Sequence, residues 1–114
     1  MKKLLLPVII ATLLISSCSI TSTATVDPDK TFVLGEGKHR RFAVDVENVG
    51  NVDIAVDAIT LRGTIMQMPV LAPGEKRKIT VPKNTRVTFE NLGNEQATVQ
   101  LKVTGDTRLS MGYE

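Results

Sequence analysis

Residues 42–59 read FAVDVENVGNVDIAVDAI. Phe42, Val44 and Val46 alternate with Ala43, Asp45 and Glu47; after a break, Val52, Ile54, Val56 and Ala58 share one face and Asp53 and Asp57 the other. A period of two sends successive side chains to opposite faces of an extended chain, so the stretch predicts two β-strands, each apolar on one side. The break itself, ENVGN at 47–51, returns as ENLGN at 90–94. The correspondence runs beyond the pentapeptide: a shift of 43 residues sets Val44 on Val87, Val46 on Phe89, Ile54 on Ala97, Val56 on Val99 and Ala58 on Leu101. We read Asn48, Gly50, Asn91 and Gly93 as turn residues, Asn because it suits turn positions and Gly because it takes φ > 0 without a side-chain penalty. A type I turn followed by a left-handed Gly would close a short hairpin at each place. An internal duplication and two hairpins solving the same bend both account for the repeat.

The alternation extends in both directions. It predicts strands at 40–47, 52–58, 76–82, 85–91 and 96–104, with shorter ones at 31–34, 64–70 and 107–113. Gly35-Glu36-Gly37, Pro73-Gly74, Pro82-Lys83-Asn84 and Gly105-Asp106 punctuate them. Short strands at this spacing predict an all-β domain, an antiparallel β-sandwich of about 7–8 short strands whose apolar faces cover one another.

The first residues carry a different message. Met1-Lys2-Lys3 is positively charged, Leu4–Ile15 is apolar but for Pro7 and Thr12, and Ser16, Ser17 and Cys18 follow. That is the layout of an export signal, with an apolar run too short to span a bilayer comfortably. Without Lys2 and Lys3 the 14 Lys and Arg fall to 12, equal to the 12 Asp and Glu, so the exported chain is formally neutral. A neutral exported chain is a poor match for nucleic acid, which is bound through clustered cations.

Ile15-Ser16-Ser17-Cys18 resembles the lipobox of bacterial lipoproteins, in which an aliphatic residue and two small residues precede a cysteine. The resemblance implies a diacylglyceryl thioether on Cys18, cleavage before it and further acylation with chains such as palmitate. A plain signal peptide ending near an unpaired cysteine is the other reading. Cys18 is the only cysteine, so no disulfide forms within the chain. Two or three acyl chains hold a protein stably where one does not. Ser19, rather than Asp, follows the cysteine, which under the sorting rule of such lipoproteins implies the outer membrane. The expected organisation is therefore a signal peptide over 1–17, a lipidated cysteine with a flexible tether over 18–30, and a β domain over 31–114. The tether reading rests on the Ser, Thr, Asp and Pro content of SITSTATVDPDK.

Two further resemblances concern the domain. Val44–Asn51, followed by Leu71-Ala72-Pro73-Gly74-Glu75 and the strand Lys78–Val81, resembles bacterial immunoglobulin-like sandwich modules. It implies an immunoglobulin-like strand order and a role in binding proteins or presenting assemblies. PKNTRVTFEN at 82–91 is similar to the second motif of cupins, with Pro82 and Asn91 correctly spaced. Asn84 replaces the motif glycine, Val87 replaces the metal-binding histidine, and the first motif with its paired histidines is absent. A jelly roll is thus the alternative topology, and cupin metal chemistry is not implied.

No residue pattern marks a reaction. The single histidine, His39, sits among Lys38, Arg40 and Arg41 at a predicted strand start, and no nucleophile, base and orienting group stand in a recognisable set. The chain is read as noncatalytic and without a cofactor. Met66 and Met68 have a spacing that soft Cu(I) sites use, which makes a small-ligand or copper-binding role the second reading; sharing a phase with Val70, they read first as core. Titration with Cu(I) separates the two. The chain has no Trp, and Phe42 and Phe89 fall in inward phases, which argues against a glycan platform. Lys38, Arg40 and Arg41, and Lys76, Arg77 and Lys78, each open a predicted strand. They are the candidate partner surface, one cationic patch if the two strands are neighbours, or else edge protection against aggregation. The function expected first is a lipid-anchored, noncatalytic envelope module that binds a protein partner or supports an envelope assembly.

Overall fold

A computed structural model of the protein describes residues 19–114. The expected signal peptide and Cys18 lie outside the described residues. Nine strands follow: β1 (Ser19–Val26), β2 (Thr31–Leu34), β3 (Phe42–Asn48), β4 (Ile54–Thr60), β5 (Ile65–Gln67), β6 (Lys76–Val81), β7 (Thr85–Asn91), β8 (Ala97–Gly105) and β9 (Met111–Tyr113). One sheet has the order β1-β8-β3-β6 and the other β5-β4-β7-β2-β9, with every pairing antiparallel.

Consecutive strands lie in opposite sheets except β4 and β5, which pair directly. Eight strands in two four-stranded sheets, each crossing over to the other, make a jelly roll, here with β9 added at one edge. The immunoglobulin order, which keeps the first two strands side by side in one sheet, is not the order found. The antiparallel sandwich is as expected; its topology is the alternative one.

The period-two segments become strands because their apolar faces close on each other. Phe42, Val44 and Val46 of β3, Ile54 and Val56 of β4, Val87 and Phe89 of β7, and Val99, Leu101 and Val103 of β8 are all buried. Each such side chain contributes roughly 1.5–3 kcal/mol by leaving water. Phe32 packs against Phe89 in a tilted pair with ring centres 6.1 Å apart and meets Tyr113 edge-on at 5.5 Å, tying β2, β7 and β9 together.

Two expectations are corrected. Ser19–Val26, read as the greater part of a flexible tether, is an edge strand paired along its whole length with β8, from Ser19 opposite Thr104 to Val26 opposite Ala97. Its inward residues Ser22, Ala24 and Val26 are small, so the alternation is faint, yet Ala24 and Val26 are buried, and its β-branched threonines favour extended backbone. The domain thus already includes Ser19–Val26, ahead of the expected start at Thr31. The segment 64–70, read as a core strand, yields only the three residues of β5 at a sheet edge. Met66 is 42% exposed and Val70 46%, and Met68 alone of the three packs against the core.

Candidate functional site

The repeated pentapeptide sits where the chain changes sheets. ENVGN leads from β3 to β4 and ENLGN from β7 to β8, so neither is a hairpin, because the strands on either side belong to different sheets. Asn48 and Asn91 are the last inward residues of their strands and are buried. The Asn48 Nδ2 donates to the carbonyls of Val52 at 2.8 Å and Leu71 at 2.9 Å, while its Oδ1 accepts from the Gly50 amide at 3.1 Å. Asn91 repeats this with Glu95 at 2.7 Å, Val26 at 2.8 Å and the Gly93 amide at 2.8 Å. The backbones agree too: the Asn48 amide donates to Glu75, just before β6, and the Asn91 amide to Lys30, just before β2. Two polar side chains are thereby buried with their donors and acceptors satisfied.

The glycines act by size rather than by dihedral angle. Neither Gly50 nor Gly93 takes positive φ. A Cβ on Gly93 would run into the Val52 side chain, with Val52 Cβ only 2.6 Å away, and one on Gly50 would stand 3.0 Å from the Thr98 amide nitrogen. The expected left-handed bulge is replaced by close approach between neighbouring corners.

The candidate partner surface divides in two. β3 and β6 are indeed neighbours, but antiparallel: Phe42 pairs with Val81, and Glu47 with Lys76. Lys38, Arg40 and Arg41 precede β3 at one end of the sandwich, while Lys76, Arg77 and Lys78 begin β6 toward the other, roughly 20 Å apart at the rise of a strand. One cationic patch does not form from the six.

The second group has structural tasks. Lys76 and Lys78 are exposed on the edge strand β6, where charge discourages pairing with another chain. Asp45 lies in register between Lys78 and Lys102. These residues border a groove of about 510 Å³ on the outer face of the β1-β8-β3-β6 sheet, together with Glu47, Gln100 and Thr21. Arg77 takes the inward phase. Its Nη1 donates to the Pro69 carbonyl at 2.6 Å, and its Nη2 reaches the Val70 carbonyl at 3.2 Å and Glu75 Oε2 at 3.1 Å. Glu75 also accepts from the Ala72 amide at 2.9 Å. That amide, and then the Arg77 guanidinium, hold the Glu75 carboxyl below its usual range.

The first group belongs to an end where four loops meet, 35–41, 61–64, 82–84 and 106–110. The Asn84 amide donates to the His39 carbonyl, the Leu61 amide to Asn84, the Asp106 amide to Arg41 and the Gly35 amide to Ser110. The Asp106 carboxylate accepts from the Arg40 amide at 2.8 Å and the Arg108 amide at 3.0 Å, and these two bonds lower its pKa. His39 is half-buried and engaged by the backbone: its Nδ1 is 2.6 Å from the Arg40 carbonyl, its Nε2 2.7 Å from that of Thr85, and its ring meets Phe42 edge-on at 5.1 Å.

The position corresponding to the cupin metal-binding histidine is Val87, which is fully buried in the core. Among the described residues no group of three or more His, Cys, Asp or Glu side chains is placed to hold a metal ion. Exposed apolar side chains lie at the end opposite His39: Val49 and Leu92, at matching places in the two pentapeptides, are 44% and 51% exposed, and Val70 46%.

No family model matches this chain, and no curated protein matches it in sequence. Solved structures match it in shape. The capsular polysaccharide assembling protein CapF from Staphylococcus aureus superposes with a TM-score of 0.57 at 15% identity, over 74% of this chain and 22% of that one. Procruciferin, an 11S globulin from Brassica napus, gives 0.58 at 8% identity over 83% and 23%. The Cupin_2 domain of an XRE family transcriptional regulator from Enterobacter cloacae gives 0.55 at 7% identity over 77% and 82%. The chain spans less than a quarter of CapF and of procruciferin. At such identities the likeness is one of fold, and it agrees with the strand order.

Proposed function

We propose that the protein is a lipid-anchored, noncatalytic envelope module that holds a protein partner close to the membrane. The observation that carries this is the position of β1: Ser19, the residue after the candidate lipidated cysteine, is already paired with Thr104 of β8. The folded domain follows Cys18 with no spacer between them, and a module built so works at the bilayer surface. Ser19 after the cysteine supports the outer membrane as its address. Val49, Leu92 and Val70 support a protein partner, because exposed apolar side chains at neighbouring loops suit a docking contact.

The test is fractionation of the native host with and without Cys18→Ala. The wild-type protein is expected in the membrane fraction and the variant in the soluble fraction; a variant that stays with the membrane would overturn the anchor. Crosslinking from residues 49 and 92 is expected to capture one envelope protein, and recovery of the monomer alone would overturn the partner reading.

A further inference from the structure

The two ends of the sandwich carry opposite charge. The loops of the His39 end bear Lys38, Arg40, Arg41, Arg62, Lys83 and Arg108, all exposed, against Glu36 and Asp106. The loops of the other end and the last residue bear Asp27, Asp29, Asp53, Glu75, Glu95 and Glu114 against Lys30, with Lys76 and Arg77 at the start of β6 beside them and Arg77 paired with Glu75, so the acids still outnumber the cations. Within the basic end the few acids do not neutralise the cations. Asp106 is engaged by two backbone amides, and the one ion pair among the described residues, Arg77 with Glu75, lies elsewhere.

The chain also enters at the basic end. Ser19 pairs with Thr104, and Gly105, the next residue of β8, pairs with Phe42, which follows Arg41. Two inter-strand spacings, about 10 Å, therefore separate the start of β1 from the start of β3. Leu61, 54% exposed, projects from a loop of the same end.

We propose that the basic end is a membrane-facing surface, laid against the anionic phospholipid headgroups of the leaflet that holds the lipid on Cys18. The inference rests on the lipid anchor of the proposed function. The acyl chains bring this end to the bilayer, and clustered Lys and Arg near an anionic surface are attracted over about a Debye length. The acidic end is then repelled, so the domain stands with its strands along the membrane normal and its acidic end outward.

The experiment uses the mature lipoprotein in vesicles of phosphatidylcholine alone or with phosphatidylglycerol. Cys18 is the only cysteine and is occupied by lipid, so Thr64→Cys and Asn94→Cys each give one labelling site, at the basic and acidic ends respectively. Fluorophores there are read by quenchers carried on lipid headgroups. The expected result is stronger quenching at residue 64 than at 94 when phosphatidylglycerol is present, an excess that salt and the triple change Arg40→Glu, Arg41→Glu, Lys83→Glu remove. The triple variant should bind anionic vesicles on the order of a hundredfold more weakly through its protein surface. Quenching that ignores lipid charge and salt overturns the proposal, and so does an acidic protein partner lost from the triple variant while quenching is unchanged. Salt needs no variant to fold.

Failure of the anchor has its own signature: the protein would not float with neutral vesicles. Flotation with anionic vesicles, lost in the triple variant, would then still support the basic end, and its absence would overturn it.

Discussion

The side-chain amide of Asn91 donates at 2.8 Å to the carbonyl of Val26, joining the end of β7 in one sheet to the end of β1 in the other. Asn48 does the same from β3, reaching Leu71, which bridges to Ile54 in the opposite sheet. The rim of the sandwich is thus closed at two places by the same device. Asn91→Ala would remove the side-chain bonds to the Val26 and Glu95 carbonyls and the Gly93 amide, whereas Asn48→Ala would strip the Val52 carbonyl and the Gly50 amide but leave the Leu71 carbonyl its bond from the Ile54 amide. We expect a loss of about 3 kcal/mol for Asn91→Ala and a smaller one for Asn48→Ala, read from urea unfolding. Asn91→Asp should cost at least as much at neutral pH, because an ionised carboxylate cannot donate to either carbonyl, and should recover part of the loss in acid, where one proton returns.

The two glycines are separable. Gly93→Ala should cost about 2 kcal/mol, because the new methyl group meets Val52. Val52→Gly, which removes both the γ-methyl groups and the Cβ that the new methyl would meet, should return a good part of that loss in the same chain, a coupling that a double-mutant cycle measures. Gly50→Ala meets the backbone of Thr98 instead, so Val52→Gly should do nothing for it.

Arg77 holds the segment before β6 through two carbonyls and Glu75. Its fork serves three acceptors at once, which an ammonium group cannot reproduce. Arg77→Lys should lower stability by about 1–2 kcal/mol and raise exchange of the neighbouring Leu71 amide, which donates to the Ile54 carbonyl.

Acid should weaken the loops at both ends. Glu75 and Asp106 have folded pKa values below their unfolded ones, from the Ala72 amide and Arg77 in one case and the Arg40 and Arg108 amides in the other. Each contributes stability that is complete above its unfolded pKa and is lost as pH falls through the lowered folded value. Thermal midpoints should therefore drop on the acid side of the ordinary carboxylate range. Glu75→Gln with Asp106→Asn should flatten that dependence while lowering stability at neutral pH.

Most of the strands were legible because their alternation is strong. Val44 and Val46, or Val99 and Leu101, leave little choice of face once one side must be buried. β1 was hidden because Ser22 and Ala24 are too small to mark an inward face, and the polar composition of the segment suggested a linker. The order of strands was not legible: jelly-roll pairing joins β1 to β8 across most of the domain, and nothing local specifies it. The inward phase of Asn48 could have been read, since it continues Val44 and Val46, and it would have indicated a buried staple instead of an exposed turn. The polarity of the two ends was the least accessible, because Lys38, Arg62, Lys83 and Arg108 come from four loops that only the fold brings together.

The start of β1 has a mechanical consequence. With a lipid on Cys18 and a partner at the acidic end, any pull between membrane and partner runs along the strand axis. The eight paired residues of β1 would then share the load in shear against β8, where a pull across the sheet would open them one after another. The same edge strand that completes the sandwich would serve as its mooring line.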